Sequence, residues 1–188
     1  MDICTYLRIQ ARANRLANHR LHGSMAALAP AEFHAERTGF FPCLALTLNH
    51  ILAVDQYYIG ALYREPGLRE QYARFQPAAT VRELATRQQA SDERLIDFCD
   101  RLDAAACDGE VAMERSGGRV QRDAVGHVLA HLFMHQTHHR GQAHAMLSAT
   151  PVPPPQLDEF LMPSEPELRV RDMAALGWDE AAIYGRPS

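Results

Sequence analysis

Residues 123–147 read DAVGHVLAHLFMHQTHHRGQAHAML and carry six of the ten histidines of this 188-residue chain. The only helix-weakening residues in the stretch are Gly126 and Gly141, and Asp123 is a suitable N-cap residue. The stretch therefore predicts one helix of about seven turns.

On a helical wheel, two of these histidines lie where apolar residues are expected. His135 and His139 fall in the same narrow sector as Val128, Leu132 and Met146, one helical turn apart. The i, i+4 spacing allows both imidazoles to reach one metal ion. The other four histidines lie off this stripe: His127, His131 and His138 on its flank, and His144 on another side.

Each histidine taken singly also fits a core imidazole that is hydrogen-bonded to a nearby acceptor. Two adjacent buried imidazoles would need two acceptors within an apolar seam, whereas one cation satisfies both. The pair therefore favours a metal site, and a buried polar network is the alternative.

A third histidine shows the same anomaly in a second predicted helix, which begins near residues 40–42 and ends before residue 65. His50 is centred on its apolar stripe, with Leu46, Val54 and Tyr57 at helical spacing. Three imidazoles would hold a cation and leave at least one coordination position for water or substrate.

Length and composition narrow the class of protein. The chain fits a single domain, and 47% hydrophobic and 22% charged residues are ordinary for a globular protein. A net charge of −4 without basic clusters argues against nucleic-acid binding. The sequence shows neither a membrane span nor a secretory signal. The four cysteines have no paired spacing, which indicates reduced, packed thiols and a cytoplasmic protein.

The remaining segments complete an all-α fold. A first helix is expected from Asp2 to Met25, and a third begins at the capping box of Thr80 and Glu83 and runs to about residue 102. Residues 65–79 are expected to form a loop. Residues 110–122 predict a small β-hairpin before the histidine helix. We predict a four-helix bundle over residues 1–150, with residues 151–188 as a proline-rich strap on the same domain that ends in a short helix.

Two motifs and the hairpin between them resemble the DinB/YfiT-like family of metal-dependent proteins. The motifs are LNHILAVDQYY, at residues 48–58, and HLFMHQTHHRGQAHAML, at residues 131–147. The resemblance covers about residues 1–150 and implies an up-down-down-up bundle with a divalent metal on His50, His135 and His139. Asp55 matches a recurrent acid of the first motif. Tyr57 and Tyr58 stand where many relatives have tryptophan.

The resemblance also implies possible activities and partners. Some branches of the superfamily are transferases or isomerases that use bacillithiol, mycothiol or glutathione, and members commonly form homodimers. The family name refers to induction by DNA damage and does not imply binding to DNA.

Two functional hypotheses follow. The first is a metal-dependent hydrolase or thiol-dependent transferase with a small-molecule substrate, in which imidazole ligation favours zinc or nickel. Its candidate supporting residues are Asp55, Gln142 and His138 near the ligands and Tyr57 against the substrate; each also fits an ordinary packing or surface role. The second is a non-catalytic binding or stress-response module that a metal staples together. A di-iron bundle is disfavoured because the sequence lacks Glu-x-x-His pairs.

Overall fold

A computed structural model describes residues 1–158 and 162–184. Four long helices dominate this part of the chain, and shorter helices connect or follow them. The helices are α1 (Ile3–Met25), α2 (Pro30–His34), α3 (Leu44–Leu62), α4 (Leu68–Ala73), α5 (Val81–Asp100), α6 (Ala104–Asp108), α7 (Val125–Leu147), α8 (Val170–Leu176) and α9 (Glu180–Tyr184). Two 3-10 turns lie at Ser116–Gly118 and Pro166–Arg169.

The long helices α1, α3, α5 and α7 form the predicted four-helix bundle. Helix α3 runs parallel to α5, because Asn49 bonds to Ala78 at one end and Tyr63 bonds to Asp97 at the other. Helix α1 packs antiparallel on α5, and α7 packs antiparallel on α3. The order is therefore up-down-down-up, which places α3 beside α7.

Side-chain caps fix two of these helices as the sequence predicts. Asp2 Oδ1 accepts a hydrogen bond from the Thr5 amide at 2.9 Å, so α1 begins directly after Asp2. Thr80 Oγ1 accepts from the Glu83 amide at 3.2 Å, and Glu83 Oε2 accepts from the Ala79 amide. Both caps satisfy backbone donors that the first helical turn leaves free.

The hairpin before the last long helix is also confirmed. Strand β1 (Glu110–Glu114) pairs antiparallel with β2 (Val120–Ala124). The turn contains Gly117 and Gly118 at φ angles of 72° and 73°, a conformation that favours glycine.

The start of the histidine helix corrects the sequence prediction. Asp123 is not its N-cap: the residue lies in β2, paired with Val111, and the helix begins at Val125. The Val125 amide instead donates to the carbonyl oxygen of Gly109 at 2.8 Å. Asp123 is held in strand β2 by its pairing with β1, two residues before the first residue of the helix. The hairpin therefore leads directly into α7.

Other boundaries differ where local signals are weak. Helix α3 begins at Leu44, after residues 40–42, with Cys43 as its N-cap. Helix α4 lies inside the predicted loop at residues 65–79 and buries none of its residues, so it carries no apolar stripe that a sequence pattern could reveal. Helices α6 and α9 are single short turns that were not predicted.

The proline-rich segment lies against the bundle. Residues 151–157 adopt no regular structure, and Ser24 Oγ donates to the carbonyl oxygen of Pro153 at 2.8 Å. Farther along, Met173 of α8 and Ile183 of α9 pack on Leu16 and Ala17 of α1. Prolines prevent a continuous helix here, and contacts with α1 hold the segment in place.

The four cysteines are free and buried. Cys4 and Cys107 lie close together, with their sulfur atoms 3.9 Å apart. None of the helices in residues 1–158 and 162–184 combines the length and the apolar character needed to cross a bilayer.

Candidate metal centre

The structure brings together the three histidines that the helical wheels select. His50 projects from α3 toward His135 and His139 of the neighbouring antiparallel helix α7. Their candidate ligand atoms all lie within 4.8 Å of one another, so the group could hold a metal ion. His50 Nε2 and His135 Nε2 are 3.0 Å apart, less than two zinc–nitrogen bonds of about 2.1 Å each. We call these three residues the imidazole cluster.

The imidazole cluster is closed on one side by an aromatic ring that the sequence did not suggest. The Phe41 ring lies 4.6 Å from the His50 ring and 5.6 Å from the His139 ring, measured between centroids. His139 is buried, whereas His50 and His135 are half-buried. The cluster is therefore shielded from one side and accessible from another.

Burial keeps two of these imidazoles neutral. It lowers the pKa of His50, with a smaller contribution from His139. It lowers the pKa of His135 to about 3, and the neighbouring imidazoles act in the same direction. Neutral imidazole is the form that binds metals. His135 Nδ1 is buried and has no hydrogen-bond partner among the described residues.

Gln142 lies next to the imidazole cluster. Its Oε1 is 2.8 Å from His139 Nδ1, so Nδ1–H donates to the amide and Nε2 keeps a free lone pair. Its amide nitrogen donates to Nε2 of the exposed His138 at 3.2 Å. Gln142 thus links the two histidines and orients the His139 ring.

Asp55 lies deeper, away from the imidazoles. It is fully buried and accepts hydrogen bonds from Gln88 Nε2 at 2.7 Å and Gln136 Nε2 at 2.9 Å. Burial, and then the nearby Asp92, raise its pKa. Gln136 is the residue after His135 in α7. The hydrogen bond from Gln136 is therefore the connection between Asp55 and the helix turn that carries His135. Its supporting role toward a metal stays a prediction.

Asp55 belongs to a set of buried polar side chains that we call the inner network. Its members come from all four long helices: Asn14, Asn18, Asp55, Gln88, Asp92, Gln136 and Arg140. Sequence patterns give no direct signal for such a network, because its members lie far apart along the chain.

A cavity of about 450 Å³ adjoins the imidazole cluster. Tyr57 lines it and donates its hydroxyl hydrogen bond to the backbone oxygen of Glu114. Arg115 also lines the cavity, with its guanidinium 5.4 Å from the Tyr57 ring centroid and bonded to the Tyr58 hydroxyl. This size is typical of small-molecule sites.

Sequence reasoning missed several walls of this cavity. They are Val54, Arg69, Tyr72, Arg115, Ser116 and His131. Arg69 and Tyr72 come from the short helix α4, and Arg115 comes from the turn of the hairpin. In such short segments a sequence pattern does not indicate which side chains will line a cavity. Helical spacing offered a signal for two of the missed residues: Val54 lies four residues after His50, and His131 lies four residues before His135.

Fold and site together define a helical-bundle protein with a three-histidine group suited to a metal ion. The sequence model of the DinB family matches residues 7–168, most of the chain. The chain therefore belongs to the DinB family. The match extends past residue 150, into the segment that our motif comparison did not cover. A search among curated proteins finds no match.

Proposed function

We propose that this chain is a metal-dependent enzyme, in which His50, His135 and His139 hold a divalent ion, zinc or nickel. The observation that supports the proposal is the position of the imidazole cluster at the wall of a cavity of about 450 Å³. A structural zinc site is usually enclosed by four protein ligands, whereas a catalytic site keeps an open position. Three donors beside an open cavity fit the second type.

We propose one of two reactions on a small-molecule substrate. The first is hydrolysis of the substrate, and the second is transfer of a low-molecular-weight thiol to it. A bound ion would supply Lewis acidity, which lowers the pKa of water or of a thiol. Gln142 would orient His139, as outer hydrogen-bond partners of metal ligands do. The exposed His138, bonded to Gln142, is the candidate proton carrier.

The cavity walls indicate the type of substrate. Tyr57, Tyr58 and Tyr72 present aromatic surface, and Arg69 and Arg115 contribute positive charge. Such a lining favours a small organic molecule that combines an apolar part with a negative charge. Tyr57 is the candidate substrate contact, because it lies about two helical turns after His50 on the same face of α3.

Metal analysis of protein purified without a histidine tag tests the ligand set. We expect about one equivalent of zinc or nickel per chain and near-complete loss in His135→Ala, because two remaining imidazoles bind a divalent ion far more weakly. His127→Ala is the matched control: it removes an exposed histidine of the same helix that does not line the cavity. Full metal content in His135→Ala would refute the ligand assignment.

A second experiment separates an enzyme from a metal-stapled module. The ion would also join α3 to α7, so chelation should lower the melting temperature under either hypothesis. An enzyme should in addition convert electrophilic substrates in the presence of glutathione, bacillithiol or mycothiol, or hydrolyse esters, and lose this activity on chelation. A large thermal effect without turnover would favour the non-catalytic module.

We further propose that the protein acts in the cytoplasm as a homodimer. Free, buried thiols support the compartment. The largely exposed apolar side chains of Phe40 and Met134 support an association surface. Analytical ultracentrifugation tests the dimer, and Met134→Glu should shift the distribution to monomer.

A further inference from the structure

A second cavity, of about 510 Å³, lies on a different side of the bundle. Its walls come from the second half of α1, from α2 and from the first turns of α5, and it shares no lining residue with the cavity beside the imidazole cluster. We call it the Arg15 cavity.

Arg15 brings a buried positive charge to this cavity. The residue is only 5% exposed, and it lines the cavity wall. On the same helix, Arg12 pairs with Asp100 and Arg20 pairs with Asp172. Among residues 1–158 and 162–184, no carboxylate forms an ion pair with Arg15 and no acceptor takes a hydrogen bond from its guanidinium. Because an uncompensated buried charge is costly, a counter-ion is expected.

Two acids of α5 that lie near Arg15 accept hydrogen bonds from other residues. Asp92 accepts hydrogen bonds from Asn14, Asn18 and Gln88. Burial raises its pKa to about 6, although Arg15 acts in the opposite direction. Glu93, the next acid along α5, accepts a hydrogen bond from Gln89 at 2.7 Å. Arg15 therefore lines this cavity, and also a neighbouring one of about 380 Å³, without giving a hydrogen bond to any acceptor of the described residues.

The rest of the lining combines polar and apolar side chains. His22 is 7% exposed, and burial, with Arg15 next, lowers its pKa to about 3, so it stands beside Arg15 as a neutral imidazole. Leu28, Phe33 and Val81 contribute apolar surface. A ligand that matches both kinds of side chain has a negatively charged head and an apolar body.

We propose that the Arg15 cavity binds a small amphipathic organic anion, with its carboxylate or phosphate head on Arg15 and its body against Leu28 and Phe33. The planar guanidinium fork matches two oxygens of either head group. The volume falls in the range of small-molecule sites. This inference is independent of the proposed metal chemistry, because no residue of the imidazole cluster takes part.

Calorimetric titration of the full chain, as purified and again after chelation, tests the site. The probes are octanoate and octyl phosphate. Acetate and inorganic phosphate test the charged group without an alkyl chain, and octanol tests the alkyl chain without a charged group. We expect at least one saturable equivalent of at least one octyl anion per chain, and much weaker binding of the three partial probes. The stronger of the two anions identifies the head group.

Variants locate the binding. Arg15→Gln should weaken binding of the octyl anion at least tenfold, and Arg15→Lys should give an intermediate affinity, because it keeps the charge and loses the fork. Ala85→Leu should also weaken binding, since it fills the cavity wall. Arg8→Gln is the matched control: Arg8 lies on the same helix, outside this cavity, and bonds to Thr5.

Thermal melting shows which variants are folded. Absence of saturable binding to the wild-type chain overturns the proposal, and so does equal affinity in a folded Arg15→Gln variant. If Arg15→Gln does not fold, Arg15→Lys and Ala85→Leu decide: unchanged affinity in both overturns the proposal.

Discussion

Two regions in which the bundle buries polar side chains differ in their hydrogen bonding. In the inner network, carboxylates, amides and a guanidinium satisfy one another: Asp92 receives three amide donors, and Arg140 donates to Asn14 and Asn18 at 2.6 and 3.0 Å. In the imidazole cluster, the rings face one another, and His135 Nδ1 has no partner among the described residues. The network is nearly complete in itself, with Gln136 Oε1 as its unsatisfied atom.

This difference indicates that the inner network stabilises the fold, whereas the imidazole cluster is suited to bind a ligand. Removing one member of a satisfied network leaves several buried partners without hydrogen bonds, so the cost falls on stability. Removing one imidazole from a cluster that lacks outside partners costs little stability but removes a ligand atom. Three predictions test this contrast.

Asp55→Ala should cause the largest loss of stability. It removes the acceptor of the Gln136 amide and one of the two acceptors of the Gln88 amide, so we expect unfolding free energy to fall by about 3–5 kcal/mol. His50→Ala, measured beside it in the presence of chelator, should change stability by about 1 kcal/mol or less. Urea unfolding of both variants gives the comparison. Equal losses would show that the imidazole cluster is as structural as the inner network.

The inner network should also impose a pH dependence through Asp92. Its pKa is raised from 3.8 to about 6, so the folded state keeps a proton that the unfolded state releases. The contribution of Asp92 is therefore most favourable at low pH, and it is lost as pH rises through about 4 to 6. Asn at this position does not titrate.

The stability of the wild-type chain relative to Asp92→Asn should therefore decrease by about 3 kcal/mol between about pH 4 and about pH 7. Urea unfolding of the two proteins at both pH values measures this change, and effects of the histidines cancel in the difference. A constant difference would mean that the pKa of Asp92 is not raised in the folded chain.

Gln142→Ala should produce the smallest effect and should act on the metal alone. Loss of the hydrogen bond to His139 Nδ1 frees the ring, and such losses weaken metal affinity about 10–100-fold. Competition with a fluorescent zinc chelator measures the affinity, with His127→Ala as control. Wild-type affinity in Gln142→Ala would remove this residue from the proposed metal centre.

Local sequence was informative wherever the signal lay within one helix. The capping residues Asp2 and Thr80 fix helix starts through contacts three residues away, and both were predicted. The same holds for His50, His135 and His139, because a polar residue within an apolar stripe is visible from helical spacing. Asp123 was misassigned, because its pairing with Val111 across the hairpin competes with capping.

The sequence by itself thus determined the helical class, the hairpin, and the placement of His50, His135 and His139 on the apolar stripes of two helices, since periodicity and capping act over a few residues. Only the tertiary structure decided that Arg115 and Tyr72 share a cavity with the imidazole cluster, that Asp55 belongs to the inner network, and that Arg15 lines a second cavity. Those arrangements depend on how separate helices pack. Packing joins residues that are distant along the chain, so no local pattern records it.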